Sequence, residues 1–215
     1  MYHRKAWMLL LAVGLATMGC NDDDKDKGRN QRIADHNDPA KVVCMGDCIT
    51  GDVNYPGVPP YPVELRALRP EKQIHIEGGG AAKTGNGRSR VGSVLSRHNP
   101  GWLLILYGVN DTIHRESPAG AAENLRAIVQ AAKAHGTIPI IGTLPGMSGK
   151  HATAFQARSE DLSARIRQVA RDEGIRCVDL EREFAADREG LLPDGRHPGA
   201  AGVRIIAVAF SEAIR

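Results

Sequence analysis

Short unbroken apolar runs, spaced by helix-length segments, govern what this 215-residue chain can fold into. Val42 to Met45, Trp102 to Leu106 and Ile138 to Thr143 are apolar almost throughout, and each has the length of a strand rather than a helix. A strand apolar on both faces has to be covered on both faces, the condition of a parallel sheet flanked by helices. Gln73 to Ile76 and Ile175 to Leu180 read as two more strands. Helical patterns fall between them at Pro62 to Leu68, Val91 to Arg97, Ala154 to Glu173 (stopped by Gly174) and Ala200 to Ile214. The sharpest helix opens on Ser117 as N-cap and Pro118 at the first turn, shows one apolar face through Leu125, Ile128, Val129 and Ala132, and ends at Gly136. Strict alternation of strand and helix predicts an α/β fold: a three-layer α/β/α sandwich on a five-stranded parallel sheet with right-handed crossovers.

Ahead of this domain, Met1 to Cys20 has the layout of an export signal. His3, Arg4 and Lys5 precede the apolar run Ala6 to Thr17, which is too short to span a bilayer comfortably. Cys20 followed by Asn21-Asp22-Asp23-Asp24-Lys25-Asp26-Lys27-Gly28 resembles a bacterial lipoprotein leader, with a lipidated cysteine tethering the body to a membrane. A cleaved secretory peptide and an uncleaved anchor are the other readings, and all three place the body outside the cytoplasm. Residues 21–40 are charged and aperiodic, a linker, so the folded domain is expected over 41–215. The chain has four cysteines. Cys44 and Cys48, separated along an extended segment, are too far apart to bridge, and Cys44 and Cys177 read as small core residues.

Four polar clusters follow the strands, where open α/β sheets place their working groups. They are Gly46-Asp47-Cys48-Ile49-Thr50, Glu77-Gly78-Gly79-Gly80, Gly108-Val109-Asn110-Asp111 and Asp194-Gly195-Arg196-His197-Pro198. In this order and on this topology they resemble the GDSL esterases and lipases, or SGNH hydrolases, from Lys41 to Arg215. The resemblance implies a flavodoxin-like SGNH hydrolase fold with no metal or organic cofactor. It puts Cys48 in the slot of the nucleophilic serine, Asp194 and His197 in the Asp-x-x-His pair, and an oxyanion hole at Cys48, Gly79 and Asn110, Gly80 being the neighbouring candidate to Gly79. Glu77 and Ala82 depart from the family's asparagine and second glycine.

Chemistry alone supports those roles. Acyl transfer needs a nucleophile, a base, a group that orients the base, and donors for the developing oxyanion. A carboxylate and an imidazole on one loop can supply the base and its orienter, and Asp47 and Asp111 are expected to brace the loops. A thiol at residue 48 is either a working nucleophile or the mark of a reduced or lost activity, because sulfur is larger than the oxygen such a site is shaped for. The resemblance implies a small acyl ester as substrate, such as an acetyl ester on carbohydrate, rather than a long lipid. A lysophospholipase or thioesterase, and an inactive module that keeps the pocket for binding, are the alternatives.

Other chemistries are disfavoured. Lys83-Thr84 after glycines lacks the phosphate-loop spacing, since Glu77 and Ala82 stand where glycines are required. His36, His75, His98, His114, His135 and His151 show no metal-ligand spacing and read as surface or capping residues. Aromatic residues are only 4% and the net charge of +3 forms no basic stripe, which argues against nucleic acid. Tyr107 is expected either to line the acyl pocket or to pack, and Asn54 to Val58 to form part of the rim.

Overall fold

The computed structural model describes residues 32–51 and 55–214. The leader, Cys20, residues 21–31 of the linker and Asn54 lie outside them. Five parallel strands form one sheet in the order β2-β1-β3-β4-β5: β1 (Asp38–Gly46), β2 (Gln73–Gly78), β3 (Pro100–Leu106), β4 (Ile138–Gly142) and β5 (Arg176–Val178). This is the doubly wound order that reverses direction beside β1, and the ends of β1 and β3 flank that switch point. The apolar runs are the strand interiors. Val42 to Met45 and all of β3 are buried, as parallel strands covered on both sides must be.

Helix α1 (Tyr61–Leu68) packs with α8 (Ala200–Ala213), where Tyr61 stacks on Phe210 at 5.3 Å between centroids. Helices α2 (Thr84–His98), α4 (Pro118–Ala134) and α5 (Gly149–Glu173) pack successively against one another. Ser117 caps α4 as expected, its hydroxyl accepting from the Gly120 amide at 3.3 Å.

Element boundaries moved where capping outweighs hydrophobic period. β1 begins at Asp38, and Asn37 ahead of it is buried, its side-chain amide donating to the His135 carbonyl at 2.9 Å. Helix α2 starts at Thr84 rather than Val91, because the Asn86 side chain accepts from the Lys83 amide and so satisfies an N-terminal donor without help from apolar spacing. The last strand is shorter than its apolar run: Asp179 accepts from the Arg182 amide and turns the chain into α6 (Leu180–Phe184). Two further short helices, α3 (Val109–Ile113) and α7 (Arg188–Leu191), sit inside segments expected to be loops.

Candidate active site

The segment after β1 is a compact turn tied to its neighbours by backbone. The Thr50 and Gly51 amides both donate to the Asp47 carbonyl, at 3.1 and 3.0 Å, and the Asp47 amide reaches Leu106 O on β3 at 3.4 Å. Two glycines let the turn close. A Cβ on Gly46 would overlap the Thr50 side chain and the Leu106 carbonyl, and one on Gly78 would overlap the backbone of Gly51. Cys48 is presented from this turn with 4% exposure.

The Cys48 thiol is pushed up to about 12, first by burial and then by the Asp47 carboxyl, against which Arg196 and the amides of Cys48 and Ile49 favour the thiolate. At neutral pH residue 48 is therefore a protonated thiol, and a nucleophilic role would require removal of its proton.

His197 is well held. His197 Nδ1 lies 2.7 Å from Asp194 Oδ2, and the His197 and Arg196 amides donate to Asp194 Oδ1 at 2.8 and 3.0 Å. Burial raises the Asp194 pKa, but these three contacts and the His197 charge outweigh it and leave the carboxyl below its ordinary value. Among the described residues His197 Nε2 has no hydrogen-bond partner, so it is the nitrogen available to a nucleophile or a leaving group.

Asn110 lies in α3, just after Gly108, whose φ of +127° turns the end of β3 into that helix. Asn110 is buried and gives one amide hydrogen to Ala82 O at 3.0 Å, which leaves the second free. Gly79 is placed differently from the expectation of a free donor. Its amide donates to Gly46 O at 3.1 Å and is the last rung of the β1–β2 ladder.

Asp111 braces the neighbouring loop, accepting from the Thr84 hydroxyl at 2.6 Å and the Thr84 amide at 3.0 Å. Asp47 braces its own turn through the Ile49 amide, 3.1 Å from Oδ1. Its Oδ2 is buried with no hydrogen bond; the Gly108 and Val109 amides favour its charge without meeting bonding geometry. Burial, with Asp111 adding repulsion, pushes the Asp47 carboxyl up to about 7. Tyr107 packs rather than lining a pocket: its ring lies against Gly87 and its hydroxyl accepts from Arg90 at 2.9 Å. Glu77 serves the same region, bonding Arg90, Arg97 and His98.

Two residues at this site were not singled out as functional from the sequence. His151, on α5, touches Gly195, where a Cβ would crowd its ring and the Ser148 carbonyl. Arg196 stands between Asp194 and His197 and acts electrostatically on both Cys48 and His151. For Arg196 the signal was its place inside the Asp-x-x-His loop; for His151, far away in sequence, there was none. Among the described residues no group of His, Cys, Asp and Glu is arranged to hold a metal.

The chain matches the model of the GDSL-like lipase/acylhydrolase family over residues 44–205, a span that runs from β1 through the Asp194–His197 loop. It belongs to that family. No curated protein sequence matches it. Solved structures share the GDSL fold at low identity. A lipase/acylhydrolase from Enterococcus faecalis superposes with a TM-score of 0.70 at 22% identity, covering 80% of this chain and 93% of that one. An acetylxylan esterase from Geobacillus stearothermophilus gives 0.68 at 21%, covering 84% and 96%. The acetyl xylan esterase AlAXEase gives 0.68 at 20%, covering 79% and 97%.

Proposed function

We propose that this GDSL-family protein hydrolyses short acyl esters through an acyl-enzyme on Cys48, with acetyl esters of carbohydrate as the substrate class. The observation that carries the reading is the His197 imidazole, held at Nδ1 by Asp194 2.7 Å away, on a loop whose Arg196 acts electrostatically on Cys48. As Sγ attacks the carbonyl carbon, Nε2 takes the thiol proton and Asp194 stabilises the imidazolium. Collapse of the tetrahedral intermediate expels the alkoxide, which recovers that proton and leaves a thioester. Water, deprotonated by the same nitrogen, then releases the acid and the free thiol.

The developing oxyanion would be met by the Cys48 amide and the free amide hydrogen of Asn110. Because the Gly79 amide is bonded to Gly46, the neighbouring Gly80 amide is the third donor in this proposal. The acetyl and carbohydrate preference draws support from the acetylxylan esterases among the structures that share the fold. A binding module is the second reading, and the thiol pKa of about 12 favours it, since a protonated thiol is a poor nucleophile until His197 acts.

Assays with 4-nitrophenyl acetate and butyrate separate the two. The hydrolase reading predicts turnover that falls roughly 100- to 10,000-fold in His197→Ala. Equal rates in the intact chain and His197→Ala, with no gain in Cys48→Ser, would leave binding as the function.

A further inference from the structure

The loop that carries His197 also carries a cation. Arg196 is half-buried on the loop whose other members, Asp194 and His197, are spent on each other, and its charge is felt at Cys48. From that loop a line of contacts runs outward: Gly195 abuts the His151 ring, His151 stacks on Phe155 at 6.2 Å, and the Arg115 guanidinium lies 5.8 Å over Phe155. Lys150, exposed, stands beside His151 and acts on it. Burial first, then Arg196 and Lys150, hold His151 below its ordinary value and favour its neutral form.

None of Arg196, Lys150 and Arg115 forms an ion pair with a carboxylate among the described residues. The acidic groups nearby are committed elsewhere. Asp194 holds His197, Glu116 pairs with Lys83 at 2.6 Å, and Asp47 is buried beneath the nucleophile. Cations gathered at a cleft without partners of their own concentrate anions there.

We propose that Arg196, backed by Lys150 and Arg115, makes this site selective for esters that carry an anionic group, a carboxylate or its equivalent, close to the scissile carbonyl. The inference deepens the hydrolase reading and takes its biological meaning from it, so its test is chosen not to need turnover. Arg196 acts here as a specificity-determining residue: its planar fork can grip a carboxylate through two parallel hydrogen bonds.

Alkylation of Cys48 by iodoacetate, an anion, and by iodoacetamide, its neutral counterpart, reads the effect. The two rates are followed on the Cys48 peptide by mass spectrometry and expressed as a ratio, so the thiolate population cancels. Relative to glutathione, the ratio at Cys48 should favour iodoacetate by roughly three-fold or more, and it should shrink as salt is added. Arg196→Gln should abolish the preference, whereas Arg165→Gln, whose charge is paired with Asp161 on α5, should keep it. An unchanged ratio in Arg196→Gln, or no alkylation of Cys48 by either reagent, would overturn the proposal. In the Cys48→Ser protein, 4-acetoxybenzoate and 4-nitrophenyl hemisuccinate then tell whether the anion belongs on the alcohol or the acyl side. Turnover that is slower for both than for their neutral counterparts would count against the proposal. Absence of turnover of these esters and of their neutral counterparts, in the Cys48 chain and in Cys48→Ser alike, would sink the hydrolase reading and leave the alkylation ratio to decide this one.

Discussion

Asp47 and His197 show how one site holds two polar side chains in opposite ways. His197 has its partner on the same loop, 2.7 Å away, and its orientation follows from three residues of spacing. Asp47 has one oxygen on the Ile49 amide and the other buried without a hydrogen bond, so the fold favours its neutral form and its pKa rises to about 7. A carboxyl raised above its unfolded value of 3.8 contributes stability that is full below that value and is lost as pH climbs toward 7. Its ionised form also opposes the Cys48 thiolate. Asp47→Asn keeps an oxygen for Ile49 and removes the titration. Whatever offset the amide introduces, the variant should gain stability relative to the parent between about pH 4 and 7, at up to ~1.4 kcal/mol per pH unit. Urea denaturation across that range checks it. Parallel pH profiles for the two proteins would mean that Asp47 is charged in the folded state throughout.

Among the elements, the Cys48 turn and the end of β2 lie against each other backbone to backbone. Gly46 and Gly78 are paired in register, the ladder carries on through the Gly79 amide, and Gly51 lies directly against Gly78. This explains Gly78 at the end of β2: a side chain there would press on the backbone of Thr50 and Gly51 in the Cys48 turn, whereas a Cβ on Gly79 would meet only the Ala82 side chain at 3.4 Å. Gly78→Ala should therefore lower esterase activity by roughly ten-fold or more, as displacement of a nucleophile by a fraction of an ångström does. The sheet as a whole has other support, and far-UV circular dichroism should be nearly unchanged. Full activity in Gly78→Ala would show that the turn can move without moving Cys48.

For the whole molecule, the alternation of apolar runs and helical faces was enough to predict the layered fold, since parallel strands buried on both sides admit few other arrangements. Cys48 and Asn110 could be singled out from sequence because each follows a strand, and Asp194 with His197 because they stand three apart ahead of the last helix; the structure pairs Asp194 with His197. What escaped was decided by contacts between distant parts of the chain. The bond from the Gly79 amide to Gly46 is not legible in the sequence, which does not show where a ladder ends. The start of helix α2 at Thr84 is not legible either, because it is secured by Asn86 and by Asp111 on another element rather than by apolar spacing. His151 joined the site only through a packing contact with Gly195. The central claim, a complete acyl-transfer site whose nucleophile is a thiol, is tested most directly by mass spectrometry of the protein quenched during exposure to 4-nitrophenyl acetate. An acetyl group on the Cys48 peptide, strongly reduced in His197→Ala, is the predicted result. Acetylation that is equal in both proteins, or confined to Cys44 and Cys177, would contradict it.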